Sequence, residues 1–270
     1  MSRVSQTFAR LRVQGGIGLF PYVMAGFPDV ATSHALAEAA LEAGADGFEI
    51  GVPFSDPLAD GTTMQRANAH ALAGGATLET AFELARAIRQ RASGTPVVLM
   101  SYYNPIRQRG EAQFAHDLQA AGADGIIVPD LPPEEAADLH AALRRRDLAL
   151  VPLLAPTSPD ARIRVVAALE PAFIYCVALV GVTGARSDLA TDLGAFLARV
   201  RALSRAPLVV GFGISQAAHV RQLRTLGANG AIVASALTDL IERSPEPIGA
   251  ARSYLAELKS ATRDADALVG

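Results

Sequence analysis

Lysine is all but missing from this chain. Of its 24 basic residues only Lys259 is a lysine, and it lies in the last helical stretch. Chemistry that needs an active-site lysine, as an imine to a carbonyl substrate or to pyridoxal phosphate, therefore has no strand-end residue to use. Cysteine is equally scarce. Cys176 stands alone in an apolar run, which excludes an internal disulfide and reads as a small core side chain in a reducing compartment. No hydrophobic run is long enough for a membrane helix, and residues 1–6 carry no apolar signal region, so a cytoplasmic location is expected. Neither sign of charge dominates: the net charge is −3, which gives nucleic acid or an anionic membrane nothing to bind. The five histidines (His34, His70, His116, His140 and His219) are scattered without ligand spacing, so no metal site is expected. A GxSxG elbow, a Walker loop and a strand-first GxGxxG are also missing.

Half of the 270 residues are hydrophobic and 19% are charged, a composition that builds a large core. Continuously apolar runs alternate with amphipathic ones. Strands are expected over 18–26, 47–52, 96–103, 125–129, 149–155, 172–179, 207–213 and 230–235. Helices are expected over 31–43, 78–91, 111–121, 134–145, 159–169, 189–203, 216–226 and 246–258, with an extra one near 4–13. Apolar strands without alternation suit a parallel sheet covered on both faces. Eight such units predict a single (β/α)₈ TIM barrel over residues 1–270 with an extra N-terminal helix. A doubly wound open sheet is the other arrangement that fits, though it uses fewer strands. Three similar turns support the count: Ala43-Gly44-Ala45-Asp46-Gly47, Ala121-Gly122-Ala123-Asp124-Gly125 and Leu226-Gly227-Ala228-Asn229-Gly230. Each reads as a helix ending on a left-handed glycine before a strand, at the bottom of the barrel.

The chemistry gathers in the run Phe48-Glu49-Ile50-Gly51-Val52-Pro53-Phe54-Ser55-Asp56-Pro57-Leu58-Ala59-Asp60-Gly61. Glu49 lies inside an apolar strand, where a carboxylate is costly unless paired or protonated. Asp60 lies in the loop that follows. Taken singly, Glu49 reads as a core carboxylate tied up by a hydrogen bond and Asp60 as a turn residue. On one strand–loop unit, at the end of a barrel where active sites form, they are an acid–base pair in unlike surroundings. Gly181-Val182-Thr183-Gly184, Gly211-Phe212-Gly213-Ile214-Ser215 and Ala234-Ser235-Ala236 follow three consecutive strands, the last before a short helix over 237–241. Glycines and a helix N-terminus in that position suit a phosphate group. Tyr175 reads equally as a core aromatic and as a catalytic hydroxyl. Tyr22, Tyr102 and Phe212 fall near strand tops, as pocket lining or as packing.

Together these motifs resemble the tryptophan synthase alpha chain family, over nearly the whole chain. Pro53 through Gly61 is the most specific element, with Val128-Pro129-Asp130 and the two glycine loops in matching order. The resemblance implies a lyase that splits indole-3-glycerol phosphate into indole and glyceraldehyde 3-phosphate. It implies Glu49 and Asp60 as catalytic groups, with Tyr175 and Thr183 supporting Asp60. It implies phosphate held at Gly184, Gly213, Ala234 and Ser235, and indole against Tyr22 and Phe212. No cofactor belongs to such a chain. Pyridoxal phosphate is expected only on a beta-chain partner, in an alpha2beta2 tetramer, met through the Asp56-Pro57 loop, Asn104-Pro105 and the segment 129–132. A stand-alone lyase that releases free indole would keep the same two carboxylates. Met24, Thr62, Val180 and Ala234 depart from the usual family pattern.

Overall fold

Nine short strands form the centre of the computed structural model, in which residues 1–177, 186–211 and 213–263 are described, the side chains of 186–191 excepted. They are β1 (Gly18–Met24), β2 (Phe48–Gly51), β3 (Val97–Met100), β4 (Gly125–Ile127), β5 (Ala149–Val151), β6 (Leu153–Leu154), β7 (Ile174–Val177), β8 (Leu208–Gly211) and β9 (Gly230–Val233). All pairings are parallel, in the order β5-β4-β3-β2-β1-β9-β8-β7-β6. Only Pro152 separates β5 from β6, and its carbonyl accepts the Tyr175 N–H at 3.0 Å. The strand expected over 149–155 is therefore one stave interrupted at a residue with no N–H to give the ladder. The sheet is a barrel of eight staves, and an open doubly wound sheet is ruled out.

Twelve helices among the described residues surround it. They are α1 (Arg3–Val13), α2 (Val30–Glu42), α3 (Thr62–Ala73), α4 (Leu78–Arg91), α5 (Tyr103–Arg109), α6 (Glu111–Ala120), α7 (Ala137–Arg144), α8 (Asp160–Ala168), α9 (Arg186–Leu203), α10 (Ala217–Thr225), α11 (Ser235–Arg243) and α12 (Pro247–Ser260). Three differ from the sequence expectation. Helices α3 and α5 occupy stretches read as loop. Helix α11 runs past the expected 237–241 and starts at Ser235, so that residue opens a helix and does not close a strand.

The three repeated turns hold the bottom of the barrel. Gly44, Gly122 and Gly227 have φ of 85°, 76° and 79°, the left-handed helix stop. Two residues on, an acidic or amide side chain accepts an N–H from the first two residues of the preceding stave. Asp46 takes Leu19 at 3.0 Å, Asp124 takes Val97 at 2.8 Å and Asn229 takes Leu208 at 2.9 Å. Both aspartates are buried and carry two cations each. Arg10 and Lys259 meet Asp46; Arg3 and Arg89 meet Asp124. The one lysine is thus structural.

Arg3 and Arg10 fasten α1 beneath the barrel, where Phe8 packs on Phe20 and Phe173 with ring centroids 5.9 and 6.0 Å apart. The Phe20 ring fills the barrel floor because Gly18, Gly47 and Gly230 surround it. A Cβ on any of them would come within 2.5, 2.6 or 2.8 Å of that ring. The floor is plugged, and a ligand has only the C-terminal end of the strands to enter.

Candidate active site

Glu49 stands one layer above that plug. It pairs in register with Tyr22 on β1 and with Val98 on β3, so the three side chains share a level facing the barrel axis. Phe20, Val98, Ile127 and Ile232 line a small apolar space beside it. Glu49 is 2% exposed, and neither carboxyl oxygen has a hydrogen-bond partner among the described residues. Among the described residues, nothing ties this core carboxylate up by a hydrogen bond. Burial in apolar surroundings raises its pKa to about 8, with the Asp60 charge as the second cause. At neutral pH Glu49 is a protonated acid with its proton uncommitted.

Asp60 reaches the mouth of the barrel from the β2–α3 loop. Desolvation raises its pKa to about 6, and hydrogen bonds from Asn68 and Tyr102 pull the other way. Asn68 donates to Asp60 Oδ2 at 3.0 Å and to the Met64 carbonyl at 2.9 Å, while its Oδ1 accepts the Phe54 N–H at 2.9 Å. The Tyr102 hydroxyl accepts the Ala59 N–H at 2.9 Å, and its ring stacks on Phe54 at 5.1 Å. Two carboxyl groups of one strand–loop unit therefore hold opposite protonation states between about pH 6 and 8. That is the condition for acid and base work at one site.

Tyr22 and Tyr175 complete the inner wall. Both are buried, and both hydroxyls are held far above their ordinary pKa, chiefly by burial and then by Asp60 and Glu49. The Tyr22 hydroxyl contacts Met24 Sδ at 3.9 Å, so the unusual Met24 packs against the pocket wall. Tyr102, which the sequence offers as pocket lining or as packing, sits directly on the Asp60 loop.

The profile of the tryptophan synthase alpha chain family matches residues 8–267. The chain is 56% identical to the tryptophan synthase alpha chain of Roseiflexus sp. (strain RS-1), over 91% of this chain and 94% of that one. It is 48% identical to that of Chloroflexus aurantiacus, over 97% and 98%. The crystal structure of tryptophan synthase subunit alpha from Legionella pneumophila str. Paris superposes with a TM-score of 0.90 at 33% identity, covering 97% of this chain and 98% of that one.

The chain belongs to the tryptophan synthase alpha chain family. It is accordingly a lyase of tryptophan biosynthesis, on a TIM barrel.

For a tryptophan synthase alpha chain, the second requirement is a seat for the substrate phosphate. Helix α11 opens at Ser235 with Ala234 as its N-cap and no side chain capping it. Its first-turn N–H groups lie at the mouth end of β9 with the positive end of the helix dipole. The extra methyl of Ala234 leaves its backbone N–H in place. Gly213 is exposed two residues beyond β8, with φ 78°. Thr183, Gly184 and Phe212 lie outside the described residues, as does Val180. Among those described, no group of three His, Cys, Asp or Glu side chains is placed to hold a metal ion.

Sequence reasoning missed Asn68. Its signal is a polar side chain among the apolar positions Met64, Ala67 and Ala71 of helix α3.

Proposed function

We propose that Glu49 and Asp60 carry out the cleavage of indole-3-glycerol phosphate to indole and glyceraldehyde 3-phosphate in this chain. The observation that carries this reading is the Glu49 carboxyl: buried, protonated at neutral pH and without a hydrogen-bond partner among the described residues. Glu49 gives its proton to indole C3. Asp60, ionised above about pH 6, accepts the ring N–H and stabilises the positive charge that appears on the ring nitrogen. The Glu49 carboxylate then takes the proton of the glycerol hydroxyl adjacent to the bond. That C–C bond breaks, its electrons restore the aromatic indole, and the hydroxyl carbon leaves as the aldehyde. Glu49 ends protonated, as it began, so the cycle closes without an external acid or base. The ring system is its own electron sink, and the step needs neither an imine nor a metal.

Tyr22 and Phe212 line the indole pocket in this reading, and Tyr175 and Thr183 support Asp60. Gly184, Gly213, Ala234 and Ser235 hold the phosphate through backbone N–H groups. The chain works as one domain in the cytoplasm and has no cofactor of its own. Its partner is a beta chain that carries pyridoxal phosphate, in an alpha2beta2 tetramer. The exposed loop around Asp56, Pro57 and Leu58 supports that docking: Leu58 is 91% exposed, three residues from the end of the Asp60 loop. Tyr103 N–H to Asp130 Oδ1, 2.9 Å, joins the Asn104-Pro105 and 129–132 segments into one neighbouring surface.

The test is indole release from indole-3-glycerol phosphate by the purified chain, with and without a tryptophan synthase beta chain. Slow release that rises sharply with the beta chain is expected. Fast release indifferent to it would identify a stand-alone lyase, and no release in either condition would overturn the reading.

A further inference from the structure

We propose that Asn68 is a positioning residue for the cleavage reaction, fixing the Asp60 carboxylate so that Oδ1 is the oxygen presented to the indole N–H. This inference rests on the role given to Asp60 above.

The hydrogen-bond network leaves the Asn68 amide one orientation. The Phe54 N–H can only donate, so the atom facing it is Oδ1; the Met64 carbonyl can only accept, so the atom facing it is Nδ2. Nδ2 therefore also faces Asp60 Oδ2 as a donor, at 3.0 Å. Asn68 is 2% exposed, and its three bonds tie the start of the β2–α3 loop, the end of that loop and helix α3 to one side chain. A loop carboxylate with a span of chain free to move becomes one held from both ends.

The helix that carries Asn68 is itself braced. Arg66 on α3 pairs with Asp239 and Glu242 on α11 at 3.1 and 2.8 Å, and Thr63 donates to Asp239 at 3.1 Å. Thr238 on α11 contacts Met64 Sδ. Helix α11 is the one whose first turn follows β9 at the mouth of the barrel. The Asp60 anchor and the phosphate seat thus share a strut, and a substrate spanning both meets groups held at a set separation.

Among the described residues, the titratable groups that face Asp60 are Glu49 on β2, Tyr22 on β1, Tyr175 on β7 and Tyr102 at the start of α5. None of these is a cation. Asn68 is the side chain whose bond to Asp60 favours the ionised form most. Its loss must therefore move the Asp60 ionisation upward as well as loosen its geometry.

The experiment is a double-mutant cycle on turnover of indole-3-glycerol phosphate, measured with the beta chain present. Asp60→Asn alone is expected to lower kcat by roughly 10²-fold or more. Asn68→Ala alone is expected to lower kcat by roughly tenfold or more, with a smaller change in KM, and to move the acidic limb of the pH profile upward. In the Asp60→Asn background, Asn68→Ala should cost almost nothing further, because its effect passes through Asp60. Asn68→Asp keeps the acceptor for the Phe54 N–H and loses the donor to Asp60, so it should be as slow as Asn68→Ala while the loop keeps its anchor. Should Asn68→Ala fail to fold, Asn68→Asp completes the same cycle. Additive losses, or an Asn68→Asp enzyme of normal rate, would overturn the inference while leaving Asp60 in its role. A normal rate for Asp60→Asn would instead overturn the underlying reading, and this inference with it.

Discussion

The Tyr22 hydroxyl lies in the space that a side chain on Gly51 would occupy: a Cβ built there would overlap the phenol oxygen. The same relation holds across the barrel, where the Tyr175 hydroxyl lies over Gly211. Gly51 is two residues beyond Glu49 on β2, so its missing side chain opens the layer immediately above the acid. Two strand-end glycines are the reason two tyrosines can form the wall of the pocket.

Gly51→Ala should therefore displace Tyr22 and narrow the pocket without unfolding the barrel. Its backbone does not demand a left-handed conformation, so the effect is local. We expect kcat/KM for indole-3-glycerol phosphate to fall on the order of 10²-fold, the scale of a displacement of about 1 Å at a reacting centre. Steady-state kinetics beside a thermal melt will check it. A wild-type rate would mean that Tyr22 can move aside freely.

The two carboxyl groups set a pH window. In the mechanism proposed above, cleavage needs Glu49 protonated and Asp60 ionised. The Asp60 pKa of about 6 gives the acidic limb, and the Glu49 pKa of about 8 gives the basic limb. The profile of kcat/KM should be a bell between those limits, with the two values belonging to the interacting pair. Asp60→Asn removes the negative charge that helps hold Glu49 protonated, so the residual activity of that variant should lose its basic limb at lower pH. A flat profile from pH 5 to 9 would contradict both assignments.

Glu49→Gln should abolish cleavage and leave the barrel intact, because the amide is isosteric and neutral like the protonated acid. It should also change how stability depends on pH. In the unfolded chain Glu49 gives up its proton near 4.5; in the folded chain it keeps it to about 8. Between those values the native state binds the extra proton, so the wild type loses stability as pH rises through the window, and the loss is complete above it. Glu49→Gln has no proton to lose there. Urea unfolding at a series of pH values should show the variant gaining on the wild type from about pH 4.5 to about 8; equal slopes would place Glu49 in water.

The barrel was legible because its strands are continuously apolar and its turns repeat. What escaped reading has particular causes. Helix α3 begins Thr62-Thr63 after Gly61, a start that reads as loop, and its buried side includes the polar Asn68. Helix α5 has Pro105 at its third position, which a sequence reader takes as a break, although the first turn tolerates a missing N–H. The Glu49–Asp60 pair could be named from one strand–loop unit. The bonds that anchor Asp60 come from α3 and from Tyr102, some 40 residues along the chain, and only packing brings them together.

The three bottom turns permit a controlled comparison of an ion-pair anchor with a plain one. Asp124→Ala removes the acceptor for the Val97 N–H and strands Arg89, whose side chain is largely buried, together with Arg3. Breaking a buried pair on one side should cost about 3 kcal/mol of unfolding free energy. Asn229→Ala removes the equivalent acceptor for the Leu208 N–H with no cation attached among the described residues, and should cost about 1–2 kcal/mol. Both sites are at the end of the barrel opposite Glu49 and Asp60, so the rate of cleavage by the folded protein should stay near wild type in each. Denaturant titration gives the two energies. If the costs are equal, the cations contribute nothing to the Asp124 anchor.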